Sequence, residues 1–499
     1  MTDDAVAQPT PDRTNHTDDA AAEPTHAEPT PATEPTATEP SPASPLRIRV
    51  VGAVAAGTTA ATKARRNAPD ADIVLYERDR DISYVGCGIP YFVGGEFEDV
   101  TTLRPRGPEW FAEKYRITVR TRHEVVSADA NTRTLTVRDL ETGEESTDTW
   151  DVLLLATGAS PVIPPIDGVG TPGVFPVRSI QDAVAIDAWI DERAPRTAVV
   201  VGSGFIGLEM AEQLAHRGLA VSIVEMLPQV MPAALDADMA EPVAEELRRH
   251  GVELHLGRTV EAIEGDDAAT AVLLDGGERL PADLVIMSVG VRPNVALAKQ
   301  LGVALGPTGA IAVDTRMRTS IPGILATGDV VENLSVLTGE PIWRPLGSTA
   351  NKTGRVAGDV ATGGDAEHRG VLGTGILRVF DLGVAHTGLT EAEARKQGYD
   401  VVTHTDTKPT RAGYLGGKKV TIKAVADRAT GRILGAQVVG PEGVDKRVDV
   451  LATAITFGAT AEDLIHLDLA YAPPFSTAKD PIHFVGMVLA AKIAKAREG

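Results

Sequence analysis

Two strand–glycine-turn–helix segments, 150 residues apart, restrict this chain to a narrow group of folds. The second segment is the fuller. TAVVVG (197–202) reads as a short buried strand ending on glycine. The turn Gly202-Ser-Gly204-Phe205-Ile206-Gly207 follows, then an apolar helix over Phe205–Arg217 and a second strand, VSIVE (221–225). In a GxGxxG turn so placed, Gly202 permits the tight bend and Gly204 lets a pyrophosphate approach the backbone. Gly207 lets helix and strand pack closely. The helix N-terminus then offers free amides and partial positive charge to the anion. Glu225 closes the second strand, where a carboxylate accepts hydrogen bonds from a ribose 2′-hydroxyl and repels a 2′-phosphate. No Lys or Arg occurs in 226–247, so NADH is the expected donor in preference to NADPH.

The first segment is LRIRVVG (46–52), an Ala-rich helix over 56–66 and DIVLYE (72–77). Its turn, Gly52-Ala-Val54-Ala-Ala56-Gly57, has Val54 where the central glycine is expected. Glu77 takes the position that Glu225 takes in the second unit. Two such units predict two dinucleotides, FAD and NADH. DVLLLA (151–156) and DLVIMSV (283–289) read as further strands, followed by turns at Ala156-Thr157-Gly158 and at Gly290. TSIPGILATGDV (319–330) places Asp329 after a strand and turn, where it is expected to meet the pyrophosphate and ribityl chain of FAD. Beyond about residue 370 the pattern turns to longer strands and a helix over KRVDVLATAITFG, which predicts a separate α+β domain. The expected fold class is α/β, with two Rossmann-like dinucleotide-binding domains and this C-terminal domain. The expected division is 46–165 with 290–366 for FAD, 166–289 for NAD(H), and 367–499. Residues 1–45 carry nine acids against one arginine and almost no bulky apolar side chains, and read as a disordered Pro/Thr-rich tail.

Cys87 is the only cysteine, so no intramolecular disulfide can form. A lone cysteine is usually a small buried hydrophobe. Here Gly86 and Gly88 flank it, just before Pro90, which predicts an exposed sulfur able to meet a planar ring. Its redox partner would be a small-molecule thiol, an oxygen atom or another chain. A reducing cytoplasm is the simplest setting. The net charge of −21 argues against nucleic acid as a partner. No run of 18 apolar residues predicts a membrane span, and the N-terminus has no signal-peptide pattern. His250 and His255 lie close in sequence, but no third ligand is evident, so no metal site is predicted.

In their order these elements resemble the pyridine nucleotide–disulfide oxidoreductases over roughly 46–499. SxxxCGxPY (83–91), PLGSTANKTGR (345–355), DKRVDVL (445–451) and AYAPPFSTAKDPI (470–482) are similar to its one-cysteine branch. That branch contains coenzyme A-disulfide and coenzyme A-persulfide reductases, NADH oxidases and NADH peroxidases. The resemblance implies a homodimer joined by the C-terminal domain, with Cys87 against the flavin, where that flavin and a helix dipole would hold its pKa low. It implies that Tyr471 and Tyr414 of the partner subunit assist a leaving thiolate. It also implies that Thr59, Lys63, Arg66, Ser83, Asn351 and Lys479 bind coenzyme A. Lys63 and Arg66, three apart, would share a helical face toward its phosphates. Phe92 stands where two-cysteine members have their second cysteine, and Gly86 where type members often have Asn. Residues 57–66 lack the histidine of the peroxidases. The implied reaction is NADH-dependent reduction of coenzyme A disulfide, or a related persulfide or polysulfide, through a Cys87–S–S–CoA mixed disulfide. An NADH oxidase or peroxidase cycling through a sulfenic acid stays open, as does a flavin-binding signalling or interaction protein.

Overall fold

The two glycine turns sit on two parallel sheets of the same layout. In this computed structural model, which describes residues 44–498, the first sheet runs Ile324–Ala326, Val152–Leu155, Arg47–Val51, Asp72–Glu77, Thr118–Thr121. The second runs Glu253–Leu256, Ala220–Glu225, Thr197–Val201, Leu284–Met287, Val174–Pro176. Every neighbouring pair in both is parallel. In each, the strand before the glycine turn is central and buried, which is why RIRVV and TAVVV are runs of branched apolar residues rather than alternating ones. The expected α/β class is borne out. The expected tail, apart from Ser44 and Pro45, lies outside the described residues.

The chain leaves the first sheet after Val152–Leu155 and returns to it at Ile324–Ala326. It does so through a two-stranded antiparallel ribbon, Ala159–Pro161 against Val291–Pro293. The helix Ala55–Asn67 is Ala-rich because the helix Gly347–Val360 crosses it closely. A Cβ at Gly354 would fall 2.6 Å from the Ala56 carbonyl oxygen, and one at Gly358 would fall 2.2 Å from that of Ala60. Past residue 370, an antiparallel sheet runs Gly375–Val379, Leu382–Gly388, Ile433–Gly440, Lys419–Asp427, Val401–Pro409. The helices Val444–Thr456 and Pro481–Glu498 pack on it over a core that includes Ile422, Val438, Leu451 and Val485. Two three-stranded meanders, over 123–149 and 260–281, have strands too mixed in polarity for the sequence pattern to reveal. Among the described residues no helix is long and apolar enough to cross a membrane.

Candidate functional site

Both turns are shaped by what a side chain would strike. Gly52 and Gly202 have φ of +105° and +100°, a region that favours glycine. A Cβ at Gly57 would lie 1.8 Å from the Gly52 carbonyl oxygen, and one at Gly207 would lie 2.0 Å from that of Gly202. Gly204, by contrast, has nothing within 4 Å of its Cβ position. The central position therefore faces open space, and Val54 occupies its counterpart at an ordinary φ of −97°.

The strand-end carboxylates have work inside the turns. Glu77 Oε2 accepts from the Ala53 amide at 2.8 Å, and its Oε1 from Asp79 N at 3.1 Å. Glu225 Oε2 accepts from Ser203 N at 3.0 Å and Ser203 Oγ at 2.8 Å, and its Oε1 from Leu227 N at 3.0 Å. Each carboxylate thus fixes the residue after the first glycine before any ribose is considered. Burial pushes the Glu77 carboxyl up, against the two amides that favour its charge.

The residues present fit two anionic dinucleotides. The helices Ala55–Asn67 and Phe205–His216 both start with no side-chain cap and no acid in the first turn, leaving their amides for an anion. Ala156, Thr157 and Gly158 lie against the first turn: a Cβ at Gly52 would fall 2.2 Å from the Ala156 oxygen. Thr157 is pinned by Asn294, four residues past Gly290. Next to Gly328, the buried Thr327 hydroxyl has no partner. Asp329 has one long contact, Arg178 Nη2 at 3.5 Å. Burial pushes its carboxyl up, with Arg178 opposing.

Cys87 is exposed on the single turn Gly86–Gly88, which runs into the short helix Ile89–Val93. Gly88 packs against Leu103: a Cβ there would fall 2.4 Å from Leu103 Cδ2 and push that methyl aside. Ser83, in the left-handed region at φ +50°, donates its amide to the Ala53 oxygen at 2.9 Å and so ties the cysteine segment to the first turn. The chain's own groups around the thiol work against a low pKa. Crowding around the sulfur pushes the thiol up although the residue reaches solvent, and Glu209 and Asp329 add to the effect while Arg178 opposes it.

Two of these neighbours, Arg178 and Glu209, and Arg378 beyond them carry no motif that marks them in the sequence. Arg178 lies just before the capped helix Ile180–Arg193, its backbone held by Asp182 Oδ2 at 2.9 Å and by Tyr84 Oη at 3.4 Å. Glu209 accepts from Tyr91 Oη at 3.1 Å, and burial pushes it up to about 7. Arg378, from the antiparallel sheet, lies 5.3 Å from the Tyr91 ring and donates to Glu212 at 2.7 Å. Tyr91, Glu209 and Arg378 line, together with 440–445, a cleft of about 410 Å³. Phe205 meets the His386 ring at 5.7 Å, and burial, with Arg344, drives His386 down to about 4. Only the spacing of Glu209 after the glycine turn could have drawn attention to it.

The six residues assigned to coenzyme A separate into groups. Thr59 Oγ1 donates to Asn351 Oδ1 at 2.8 Å, so those two meet. The Lys63 ammonium pairs with Asp359 at 2.9 Å and with Asn67. That pairing holds Asp359 down at about 2. Arg66 is exposed, 5.8 Å from the Tyr115 ring. Tyr414, Tyr471 and Lys479 lie on two exposed loops joined by Ala412 N to Pro473 O at 3.3 Å. The sequence window after Glu225 also misses Arg258, whose amide bonds the Glu225 oxygen at 3.1 Å. Its guanidinium is taken by Asp275 and Glu278. His250 does have further carboxylates near it, Glu246 at 3.2 Å and Asp381 at 3.5 Å. Arg249 already bridges both, and His250 stacks on Phe380, so the charge a metal would neutralise is met by the protein.

Two nucleotide-type turns on twin parallel sheets, with one thiol on a glycine-flanked turn, define a pyridine-nucleotide-linked flavoprotein fold. Residues 46–349 match the family described as pyridine nucleotide-disulphide oxidoreductase, and residues 376–481 match its dimerisation domain. The chain belongs to this family of oxidoreductases, which use FAD and NAD(P)H. It is 42% identical to the CoA-dependent NAD(P)H sulfur oxidoreductase of Pyrococcus furiosus over 89% of this chain and 99% of that protein. It is 32% identical to the coenzyme A disulfide reductase of Staphylococcus epidermidis over 88% and 99%. Among solved structures, the NAD-dependent persulfide reductase from A. fulgidus superposes with a TM-score of 0.88 at 39% identity, covering 90% of this chain and 84% of that one.

Proposed function

We propose that the protein reduces coenzyme A disulfide, or a coenzyme A persulfide or polysulfide, with NADH as donor and Cys87 as its one redox thiol. The carrying observation is that the chain's only sulfhydryl is exposed on a glycine-flanked turn that is tied to the first nucleotide turn through Ser83. We assign 46–165 with 290–366 to FAD, 166–289 to NADH and 367–499 to dimerisation. Gly52, Val54, Ala56, Gly57, Glu77, Ala156, Thr157, Gly158 and Asp329 would hold FAD, which supplies transfer of an electron pair from NADH to sulfur. Gly202, Gly204, Phe205, Ile206, Gly207, Glu225 and Gly290 would hold NADH. The buried Glu225 carboxylate favours it over NADPH.

The Cys87 thiolate attacks one sulfur of the disulfide, forms Cys87–S–S–CoA and expels one coenzyme A thiolate. The electron pair then cleaves the mixed disulfide, regenerating the Cys87 thiolate and releasing the second coenzyme A thiolate. The balance is one NADH and one proton per disulfide, giving NAD⁺ and two coenzyme A thiols. Arg178 is the cation the chain sets against the acids around the sulfur. Tyr414 and Tyr471, on joined exposed loops within the dimerisation domain, would protonate leaving thiolates in a second copy. Arg66 rather than Lys63 is the cation free for a coenzyme A phosphate, with Thr59, Asn351, Ser83 and Lys479 as polar contacts. A single thiol that cycles through small-molecule disulfides suits a reducing cytoplasm.

A second reading, NADH oxidation by oxygen through a sulfenic acid, is favoured by the exposed thiol and by the name NADH oxidase of a Methanocaldococcus jannaschii relative 39% identical to this chain. Mass spectrometry of the intact, unreduced protein separates the two. An adduct of coenzyme A mass that reductant removes supports the first; one added oxygen moves the assignment to the second. Cys87→Ser should abolish disulfide reduction, and normal turnover by that variant would refute the mixed-disulfide route.

A further inference from the structure

The loops carrying Tyr414 and Tyr471 are far apart in sequence yet share one buried anchor. Arg447 and Asp480 have side chains only 1% and 2% exposed. Arg447 belongs to DKRVDVL and Asp480 to AYAPPFSTAKDPI, and neither has a part in the chemistry above. Arg447 Nε donates to Asp480 Oδ1 at 3.2 Å and its Nη2 to Asp480 Oδ2 at 3.0 Å. The same Nη2 donates to the Thr410 carbonyl at 3.0 Å, and Nη1 donates to that of Gly443 at 2.8 Å. Ser476 Oγ donates to Asp480 Oδ2 at 2.7 Å, and Lys446 Nζ stands 3.6 Å away. One guanidinium–carboxylate unit therefore holds Thr410, four residues before Tyr414, together with Ser476 and Asp480, five and nine residues after Tyr471.

Further bonds brace the same assembly. Glu442 Oε1 accepts from Lys418 N at 3.1 Å and from the Thr410 hydroxyl, and Arg411 pairs with Glu442 at 3.2 Å. His483 Nδ1 accepts from the Asp480 amide at 3.1 Å, and its Nε2 donates to the Leu467 oxygen at 2.9 Å, fixing the approach to the Tyr471 loop. From this frame the ends project outward: Tyr414 is 80% exposed, Tyr471 55% and Phe475 73%. A bidentate Arg–carboxylate pair fixes geometry as well as charge. A buried pair is weak evidence for stability alone, and specifying a geometry is one reason such pairs are kept.

We propose that Arg447 and Asp480 are positioning residues that lock Tyr414 and Tyr471 into one two-pronged unit, so that the two tyrosines act or fail together. The inference rests on the proposed role of those tyrosines in releasing coenzyme A thiolate. The test uses the flavin-loaded enzyme and the variants Asp480→Asn, Arg447→Lys, Ser476→Ala, Tyr471→Phe, Tyr414→Phe and Asp480→Asn/Tyr471→Phe. Flavin reduction by NADH is followed by stopped flow, and kcat and KM are measured with coenzyme A disulfide. Loss of a proton donor lowers kcat by about 100-fold. Asp480→Asn should lower kcat by a factor close to that of Tyr471→Phe and leave flavin reduction within about twofold. The double variant should be no slower than the slower single one, because residues that act as a unit are not additive. Ser476→Ala, which keeps the pair, should lose a smaller part of kcat and serves if Asp480→Asn does not fold. The inference is overturned if Asp480→Asn and Arg447→Lys fold and keep kcat while the tyrosine variants lose it, or if the double variant's losses multiply. If both tyrosine variants keep kcat, the proton-donor reading itself fails and takes this inference with it.

Discussion

Replacing Glu209 by Gln should remove a loss of stability that the native protein suffers as pH rises through neutrality. Burial pushes this carboxyl from 4.5 up to about 7; the Tyr91 hydroxyl and Arg378 pull it down, and Glu212 pushes it further up. An acid raised in this way binds its proton more tightly when folded. Stability is therefore intact below about pH 4.5, falls as pH climbs, and has lost its full share once pH passes about 7. At about 1.36 kcal/mol per tenfold change in proton affinity, the limit is about 3 kcal/mol. Residual contact with solvent reduces it to about 2 kcal/mol. Gln keeps the shape and an acceptor for Tyr91 Oη at 3.1 Å, but cannot ionise. For 499 residues, an unfolding entropy of about 2.1 cal/mol/K per residue amounts to about 1 kcal/mol/K, so the effect corresponds to about 2 °C. Calorimetry of Glu209→Gln and the native protein at pH 5 and pH 8.5 should find the difference in Tm moving by that much in favour of the variant. Tyr91→Phe should move the native protein the other way, since it removes the bond that favours the charged form. A Tm difference that stays constant between the two pH values would refute the reasoning.

Two further predictions come from the turns and the basic helix. Gly57→Ala should purify with little bound flavin, because its Cβ would sit 1.8 Å from the Gly52 oxygen. Gly204→Ala has open space around its Cβ and should keep its flavin while raising KM for NADH; the ratio of flavin to protein absorbance and steady-state kinetics read both. Arg66→Met should raise KM for coenzyme A disulfide by about tenfold, as loss of one charge-assisted contact does. Lys63→Met should change that KM less and instead lower Tm slightly, since it breaks the 2.9 Å pair with Asp359. Equal effects of the two on KM would show that Lys63 leaves Asp359 for the substrate.

What the sequence makes legible is backbone geometry and local chemistry. Gly207 can be assigned from spacing alone because the atom that demands glycine there, the Gly202 oxygen, lies five residues away; Gly202 is set locally by its φ of +100°, although its Cβ would also strike the distant Ser288 oxygen at 2.6 Å. Val54 looks like a defect in the first turn only because the motif treats all three glycines alike; the central one guards open space, not a tight bend. Pairing across the fold is a different matter. Lys63 reads as a free basic group because Asp359 lies almost three hundred residues away. Glu209 reads as one more polar position on a helix because Tyr91 belongs to another segment. Arg178 has no motif, yet it is the cation that opposes the acids around the thiol.

The same distinction governs Cys87. Flanking glycines do forecast its exposure, and exposure alone would suggest a reactive sulfur. Crowding, Glu209 and Asp329 all work against the thiolate, which is the form that attacks a disulfide. Below about pH 7 Glu209 takes up a proton and its share of that opposition lapses, whereas above it both acids weigh on the sulfur. The chain thus sets burial and two acids against the thiolate of an accessible sulfur and leaves Arg178 as the opposing charge. Removing that charge with Arg178→Met should slow alkylation of the single thiol by iodoacetamide, and a variant rate equal to that of the native protein at every pH from about 6 to about 9 would show that Arg178 does not act on the sulfur.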